Sequence, residues 1–312
     1  MTDNRKPLST YYAPRYWPVW FGMGVLRLIC LLPHRAALAV GRFFGRLVHA
    51  SGGSRRAIVR RNIELCFPDL APAERDALAR RHFEALGMAM IEMGLGRWAS
   101  DAHVARISRL VGLEHLRAAL DSGRGVIMLS AHFTTLELMG RLLKTKIPPF
   151  DAVFRKNRSD FMTELQRTGR EMSADTTIEK RDIKKMVRSL RNNRAVWYAP
   201  DQSYNRKGAI VASFFGVPCM HTTATSTLAR LGDALVVPFF PQRLDDGTYE
   251  LTLLPAMKDF PTDDAAADTR RYIELLETHV RRCPEQYFWI HRKFKDLPEE
   301  YPDYYADLDA LK

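Results

Sequence analysis

The chain has 312 residues, of which 46% are hydrophobic, and it carries a formal net charge of +11 at pH 7. This length is sufficient for one large domain with an accessory segment. The cysteines Cys30, Cys66, Cys219 and Cys283 are far apart in the sequence. Their spacing excludes a disulfide-stapled scaffold and a zinc site of paired cysteines, and it predicts reduced thiols.

The positive charge is concentrated at the amino terminus. Residues 1–61 contain eleven Lys or Arg residues and one acid, a net charge of +10, which leaves +1 for residues 62–312. A nearly neutral body with a basic end predicts an anionic partner surface at that end.

The basic end is also apolar. Residues 16–33 form an apolar run that is interrupted by Arg27 and begins with an aromatic cluster, and a second apolar segment covers residues 36–50. Aromatic rings favour the headgroup zone of a bilayer, and cations favour anionic headgroups. We therefore predict that residues 1–53 form a basic helical hairpin that lies in or on a membrane.

Two alternatives exist for this segment. A cleaved signal peptide could end at Ala37-Leu38-Ala39, which has small residues at its first and third positions, but Arg27 and the lack of a cysteine framework count against it. A nucleic-acid-binding arm would explain the charge, yet the interleaved Trp, Leu, Ile and Val residues suit lipid better than a phosphodiester backbone. Membrane attachment is favoured, and no nucleic-acid partner is expected.

The rest of the chain alternates between strand-like apolar runs and helical patterns. A basic helix over 54–67 and a long helix from Pro72 to Gly94 or Gly96 come first. Strand-like runs follow at 126–129, 152–154, 195–198, 235–240 and 249–254, and helical patterns at 136–144, 161–172, 183–192, 223–231 and 264–282. This alternation predicts an α/β domain over residues 54–312 with a mainly parallel sheet flanked by helices.

A histidine and a glutamate lie at the first of these strand-to-helix corners. His132 follows the strand 126–129, and Glu137 lies in the first turn of the next helix. A carboxylate that orients an imidazole makes a general base for a hydroxyl proton. The sequence has no second histidine in the HExxH spacing, so we expect no metal here.

The same residues allow a structural interpretation. Thr134 and Glu137 have the spacing of a helix capping box, in which the glutamate accepts the amide of the first cap residue. His132 would then be an ordinary buried histidine. The spacing alone does not decide between catalysis and capping.

A cationic group follows the next strand. Arg155–Arg158 comes directly after the strand 152–154, and Arg170 lies about one helix later. Guanidinium groups bind phosphate and carboxylate oxygens in a bidentate manner. The alternatives are a solvated loop for the first group and a helix-capping role for Arg170.

Polar and aromatic residues accompany two later strands. Asp201 and Gln202 follow the strand 195–198, where a sheet offers polar groups to a ligand, although Pro-Asp is also common turn chemistry. The apolar loop 214–218 could line an acyl groove or simply pack. An aromatic strand at 287–290 with a basic exit suits a phosphorylated amphiphile or a buried final strand.

Taken in order, these motifs resemble a known family. They resemble the late lipid A acyltransferases of Gram-negative bacteria, within the wider glycerolipid acyltransferase superfamily, and the likeness covers nearly the whole chain. The motifs that carry it are His132-X4-Glu137, Arg155, Ala199-Pro200-Asp201-Gln202, Phe214-Phe215-Gly216 and Trp289-Ile290-His291-Arg292.

The resemblance implies a reaction without a cofactor. A fatty acyl chain would pass from acyl–acyl carrier protein to a 3-hydroxyl of a hydroxyacyl chain on a lipid A precursor similar to Kdo₂-lipid IVA. His132 would take the hydroxyl proton and Glu137 would orient its ring. Backbone amides at the helix start or a nearby cation would hold the oxyanion. The enzyme would work at the cytoplasmic face of the bacterial inner membrane.

Substrate-binding roles also follow from the resemblance. They fall on Arg155, Arg170, Asp201, Gln202 and Arg292, with the arginines holding a sugar phosphate or the oxyanion. Two further functions remain open. One is a glycerolipid or lysophospholipid acyltransferase with the same His–Glu pair, and the other is a non-enzymatic, membrane-anchored lipid-binding protein.

Overall fold

The computed structural model describes residues 6–309. Residues 1–5 of the predicted anchoring segment and residues 310–312 of the predicted second domain lie outside the described part of the chain. The described chain begins with a layer of helices. This layer comprises two short 3₁₀ helices, Leu8–Tyr11 and Pro14–Tyr16, and then α1 (Trp17–Ile29), α2 (His34–Ser51), α3 (Ser54–Cys66) and α4 (Pro72–Trp98).

Helix α4 begins where the sequence predicts it. Pro72 occupies the first helical position, where its missing N–H costs no hydrogen bond. The Glu74 carboxylate accepts a 2.8 Å hydrogen bond from the backbone N–H of Ala71. This bond satisfies an amide at the helix start that has no partner within the helix. The prediction of a long helix from Pro72 is confirmed.

Helix α2 packs mainly along α4. A Cβ added to Gly87 of α4 would lie 2.0 Å from the carbonyl oxygen of Gly41, and one added to Gly45 of α2 would lie 2.1 Å from that of Phe83. Only residues without a side chain permit so close an approach. Helix α1 also packs on α4, around Gly94. The predicted hairpin is not confirmed, because the partner of α2 is α4.

The remaining elements alternate strands and helices. In chain order they are α5 (Asp101–Ile107), β1 (Ser108–Val111), α6 (Leu113–Asp121), β2 (Gly125–Leu129), α7 (Leu136–Lys144), β3 (Phe150–Phe154), α8 (Asp160–Arg170), β4 (Thr176–Glu179), α9 (Ile183–Arg191), β5 (Ala195–Tyr198), β6 (Ala209–Phe214), β7 (Val217–Thr222), α10 (Ala224–Gly232), β8 (Ala234–Arg243), β9 (Tyr249–Leu253), α11 (Ala265–Arg282), a 3₁₀ helix (Pro284–Gln286) and α12 (Ala306–Asp309).

Seven strands form one sheet in the order β1-β9-β8-β2-β5-β3-β4. The run from β8 to β4 is parallel throughout, β9 is antiparallel to β8, and β1 is parallel to β9. At the centre, Leu129 of β2 is level with Tyr198 of β5 and with Pro238 of β8. The prediction of an α/β fold with a mainly parallel sheet flanked by helices is confirmed.

The connections from the two central strands cross the sheet in opposite directions. From β2 the chain passes through α7 to β3, whereas from β5 it passes through the β6–β7 hairpin and α10 to β8. Where such connections diverge, a crevice opens at the carboxyl ends of the two strands. The loops that follow β2 and β5 therefore meet at the edge of the sheet that is best placed to bind a ligand.

The structure contains strands that the sequence analysis did not predict. Strands β1 and β4 have four residues each and, unlike the equally short β5, are not continuous apolar runs, so neither alternation nor an apolar run marks them. The apolar loop predicted at 214–218 is only partly a loop, because Phe214 ends β6 and Val217 begins β7 of a hairpin. Its two turn residues, Phe215 and Gly216, both have positive φ, at 52° and 77°, as two-residue hairpin turns require.

The predicted aromatic strand at 287–290 is wrong. Tyr287 forms an isolated antiparallel bridge with Phe133, and the residues that follow it form turns. The segment is still buried, because Tyr287 and Trp289 pack in the core with 3% and 1% of their surface exposed. A buried segment without continuous strand hydrogen bonds has the same aromatic composition as a buried strand. The sequence therefore does not distinguish a turn from a strand here.

Apolar side chains are exposed on the helical layer. We call the following set the apolar face: Trp17, Phe21, Val25 and Leu28 of α1, Phe43, Phe44, Leu47 and Val48 of α2, and Met90 and Met93 of α4. Their spacing of three to four residues places them on one side of each helix. Within residues 6–309, no helix has both the length and the hydrophobicity required to cross a bilayer.

Candidate active site

His132 and Asp201 form a close pair at the carboxyl ends of β2 and β5. The Nδ1 atom of His132 lies 2.6 Å from Oδ1 of Asp201, and the backbone N–H of His132 donates a 3.1 Å hydrogen bond to Oδ2 of the same carboxylate. The two strands are neighbours, and their connections diverge at this point. Strand order therefore brings together two residues that are 69 positions apart.

The Asp201 carboxylate is held in its charged form. Burial acts to raise the pKa of Asp201, but the interaction with His132 and the charge of Lys293 outweigh it, so the pKa lies well below its usual range. The Tyr287 hydroxyl donates a 3.1 Å hydrogen bond to Oδ2, and the Lys293 ammonium donates to the Asp201 backbone carbonyl. The carboxylate side chain is 2% exposed, whereas that of His132 is 33% exposed.

The loop that carries His132 is fixed to the segment before Trp289. The backbone N–H of Phe288 donates to the carbonyl of His132 at 3.0 Å, and the N–H of Thr134 donates to the carbonyl of Gln286 at 2.9 Å. The bridge between Phe133 and Tyr287 lies between these two bonds. The carboxyl-terminal segment thus acts as a rigid support for the histidine loop.

A small open cavity of about 10 Å³ lies against this pair. Burial lowers the pKa of His291 to about 4, so its imidazole is neutral at pH 7. Its Nε2 atom is buried and has no partner among the described residues. The residues that line the cavity are Asn62, His132, Asp201, Gln202, Tyr287, Phe288, Trp289, His291 and Lys293.

Glu137 is paired with Arg170 and not with the histidine ring. Arg170 donates to Oε1 of Glu137 from Nε at 3.1 Å and from Nη2 at 2.8 Å, while its Nη1 donates to the carbonyl of Val153 at 2.8 Å. The predicted Glu137–His132 contact is therefore wrong. The physical reason is that Asp201, in the loop after the adjacent strand β5, occupies Nδ1, while Arg170 holds the Glu137 carboxylate.

The capping-box alternative is also wrong. The residue before the first turn of α7 is Thr135, and its side chain makes no capping hydrogen bond in the described structure. Glu137 lies in that first turn but bonds to Arg170. The sequence predicts that Arg170 joins the cationic site of Arg155 or caps a helix, whereas in the structure its guanidinium links Glu137 of α7 to Val153 of β3.

The other predicted binding residues occupy three different places. Gln202 lines the cavity beside His132. Arg155 is exposed directly after β3, two strands away from β2. Arg292 places its guanidinium 5.1 Å from the centre of the Tyr305 ring. The structure therefore brings His132, Asp201 and Gln202 together and places the arginines around them at other strand ends and loops.

Sequence reasoning did not single out Lys293, Tyr287 or His291 as site residues. Each lies in the aromatic and basic segment that the sequence did mark, yet it gave them no individual role. The signal was the sudden change from aromatic to basic residues after Trp289. A buried lysine and a half-buried histidine so close to a carboxylate are recognisable only when the fold brings Asp201 beside them.

Three backbone amides near the start of α7 are already engaged. The N–H of His132 donates to Asp201, that of Thr134 to Gln286, and that of Leu136 to Phe133. These amides do not form an oxyanion hole in this conformation. Within residues 6–309, no cluster of three or more His, Cys, Asp or Glu side chains is arranged to hold a metal ion.

Comparison with known proteins decides the family. The model of the bacterial lipid A biosynthesis acyltransferase family matches residues 5–296 of this chain. The chain belongs to the bacterial lipid A biosynthesis acyltransferases. The resemblance stated from the sequence motifs is thereby confirmed, and the His132–Asp201 cavity lies inside the matched region.

Curated members of this acyltransferase family resemble the chain over nearly its full length. The lipid A biosynthesis lauroyltransferase of Escherichia coli is 36% identical over 98% of this chain and 100% of its own length. The palmitoleoyltransferase of the same organism is 37% identical over 92% and 94%, and its myristoyltransferase is 29% identical over 92% and 90%. A solved structure, the PlsC acyltransferase from Thermotoga maritima, is a distant match at 12% identity and a TM-score of 0.39 over 75% of this chain and 99% of that one; the family assignment does not depend on it.

Proposed function

We propose that this acyltransferase transfers a fatty acyl chain from acyl–acyl carrier protein to a 3-hydroxyl of a hydroxyacyl chain on a lipid A precursor similar to Kdo₂-lipid IVA. The observation that carries the proposal is the His132–Asp201 pair at the cavity. The names of the relatives, which transfer lauroyl, palmitoleoyl or myristoyl chains in lipid A biosynthesis, support the substrate class.

The pair has the arrangement of a general base. With Nδ1–H of His132 donating to Asp201, the neutral ring carries its lone pair on Nε2. The buried carboxylate stabilises the imidazolium that forms when Nε2 accepts a proton. Because the ring is partly exposed while its carboxylate is not, a substrate hydroxyl can reach the base from the cavity side.

The reaction proceeds in two proton-balanced steps. Nε2 of His132 removes the proton of the acceptor hydroxyl while the oxygen attacks the thioester carbonyl, which forms the new C–O bond. The tetrahedral intermediate then collapses, the C–S bond breaks, and the imidazolium returns its proton to the leaving thiolate. The products are an ester on the acceptor and a free thiol on the carrier, with no cofactor consumed.

Glu137 acts in this proposal through Arg170. The carboxylate fixes two N–H groups of the guanidinium, and the third bond to Val153 ties the cation to the end of β3. A cation held this way at the start of α7 would stabilise the oxyanion, because three of the amides there are already engaged. Gln202 would contact the acceptor in the cavity, and Arg155 and Arg292 would hold its anionic groups.

The helical layer is proposed to attach the enzyme to the membrane. The apolar face lies on the same helices as Arg42 and Arg46, both in a segment with a net charge of +10. Apolar side chains bordered by cations are typical of attachment to an anionic bilayer surface without crossing it. We place the protein at the cytoplasmic face of the inner membrane, with residues 1–53 as the anchoring segment and 54–312 as the acyltransferase domain.

The test is the mass of the reaction product. Purified protein in detergent is incubated with lauroyl–acyl carrier protein and, in separate reactions, with Kdo₂-lipid IVA or lysophospholipid. A gain of one acyl chain on Kdo₂-lipid IVA is expected. Acylation of lysophospholipid alone would support the glycerolipid alternative, and lipid binding without any thioester consumption would support a non-enzymatic lipid-binding protein.

A further inference from the structure

Basic residues lie in the segments that follow the carboxyl ends of three neighbouring strands of the sheet. Arg155 follows β3, Lys180 and Arg181 follow β4, and Arg206 lies in the loop that follows β5. We call these four residues the cation cluster. They lie at the same edge of the sheet as His132, because β2, β5, β3 and β4 are consecutive and parallel.

The strand register places the first two of these cations side by side. Phe154 at the end of β3 is level with Glu179 at the end of β4. Beyond that pair, the backbone N–H of Lys180 donates a 2.7 Å hydrogen bond to the carbonyl of Phe154. Arg155 and Lys180 are therefore adjacent just beyond the carboxyl ends of β3 and β4. This is the edge of the sheet at which ligands bind in folds of this kind.

The cation cluster has no compensating carboxylate within residues 6–309. Glu179 pairs with Lys156 at 3.0 Å, and the Asp182 carboxylate caps α9 by accepting the N–H of Lys185. Burial and the charges of the three arginines of the cluster lower the pKa of Lys180. Neighbouring cations that repel one another in this way are stabilised when an anion binds between them.

We propose that the cation cluster is a binding site for a phosphate group of a substrate, with Lys180, Arg181 and Arg206 acting together with Arg155. The inference rests on the proposed function and names a ligand group for the same sheet edge. Guanidinium forks bind phosphate oxygens in pairs, and a lysine supplies a point charge.

The position of the cluster fits a phosphorylated acceptor. Strands β3 and β4 are the second and third neighbours of β2, so their ends lie about 10 to 14 Å from the end of β2 at a strand spacing of about 4.8 Å. A headgroup phosphate bound there would leave an acyl chain of the same lipid within reach of His132. The phosphate of the carrier's prosthetic group has the same chemistry, so the experiment must separate the two sources.

The kinetic test uses a double variant of the full-length protein, Lys180→Gln with Arg206→Gln. A matched control, Arg117→Gln with Lys146→Gln, changes the net charge equally at exposed positions outside the cluster. With bisphosphorylated acceptor, we expect the double variant to raise KM for the acceptor about tenfold with little change in kcat, as loss of charge-assisted hydrogen bonds predicts. The control should behave like the wild type.

Removing the phosphates from the acceptor completes the kinetic test. On a dephosphorylated acceptor, the wild type and the double variant should have the same KM. A rise in KM for the acyl carrier instead of the lipid would assign the bound phosphate to the carrier's prosthetic group. Equal KM values for the double variant, the control and the wild type with both substrates would overturn the proposal. A raised KM of the double variant for the dephosphorylated acceptor would also overturn it.

A binding measurement separates this site from the proposed reaction. Inorganic pyrophosphate should raise the melting temperature of the wild type and of the control in detergent, because a ligand that binds the folded state stabilises it. The double variant should lose that increase. If the increase is found but no acyl transfer occurs, the phosphate site stands and the proposed function fails. If all three proteins respond alike, the cation cluster is not a phosphate site.

Discussion

At the scale of single residues, the active site depends on which carboxylate reaches the histidine ring. Asp201 occupies Nδ1 of His132 at 2.6 Å, and it also accepts hydrogen bonds from the backbone N–H of His132 and from the Tyr287 hydroxyl. Glu137 is instead held by Arg170. In the proposed mechanism the two carboxylates have separate tasks, because Asp201 orients the base and Glu137 positions a cation.

Replacement of this carboxylate by an amide tests the assignment. Asp201→Asn keeps the shape of the side chain but removes the charge that stabilises the imidazolium, so kcat should fall by about 10²-fold or more. The measurement is the initial rate of acyl transfer at saturating substrates. Asp245→Asn, at an exposed position, is the control. A kcat within twofold of the wild type for Asp201→Asn would show that another group orients His132.

The sequence predicts the components of this site better than their pairing. His132, Asp201 and Gln202 are each found by the rule that polar residues at strand ends face a ligand. Their contacts depend on β2 and β5 being neighbours in the sheet. The local periodicity of a sequence predicts strands but not their order in a sheet. Glu137 is the nearer carboxylate in sequence, and Asp201 is the nearer one in space.

At the scale of elements, the sequence likewise predicts individual helices and strands better than the contacts between them. The sequence predicts β2, β3, β5, β8 and β9, because burial gives them a continuous or alternating apolar pattern, and it misses β1, β4, β6 and β7. The α2–α4 contact is missed, since Gly41, Gly45 and Gly87 show their role only when the two helices cross. The sequence does not predict that the segment after Pro284 supports the His132 loop, because a buried turn and a buried strand have the same composition.

Helix α4 is joined to this supporting segment by a buried histidine. Nδ1 of His82 lies 2.9 Å from the carbonyl of Glu285, while its Nε2 is buried without a partner in the described structure. Burial lowers the pKa of His82 from 6.5 to about 4. Between these two values the unfolded chain binds a proton that the folded protein does not. The free energy of unfolding therefore falls as the pH decreases from 6.5 toward 4.

His82→Gln should reduce this pH dependence. Glutamine can keep one hydrogen bond and cannot be protonated, so the slope of the unfolding free energy against pH should decrease by up to about 1.4 kcal/mol per pH unit. Urea unfolding between pH 7.5 and 4.5 measures that slope. Since His279 has its pKa lowered to about 4 in the same way, part of the dependence should remain. An unchanged slope in the variant would mean that His82 is not a buried neutral group.

At the scale of the whole molecule, the chain combines a nearly neutral catalytic body with a basic helical layer. The layer exposes the apolar face, and α4 links it to the body through its contacts with α2 and with the 3₁₀ helix Pro284–Gln286. Attachment through such a surface would bring an acceptor lipid and the active-site cavity to the same interface. The acyl carrier would then approach from water.

Charged residues on the apolar face should release the protein from lipid. In the triple variant Phe21→Glu, Phe43→Glu and Leu47→Glu, each glutamate opposes both apolar burial and attraction to anionic headgroups. Co-sedimentation with vesicles containing anionic lipid should change from mostly bound to mostly free. The control places glutamates at exposed apolar positions elsewhere, Val111, Met172 and Leu231. Equal sedimentation of both variants with the wild type would place the attachment surface outside the helical layer.

The central claim is that His132 is the base of an acyl transfer, and its most direct test is the product mass formed by His132→Ala. The variant and the wild type, shown to be equally folded by their melting temperatures, are incubated with lauroyl–acyl carrier protein and Kdo₂-lipid IVA. We expect the wild type to add one acyl chain and the variant to be slower by about 10²- to 10⁴-fold, the range for a lost general base. Transfer by His132→Ala at the wild-type rate would contradict the mechanism.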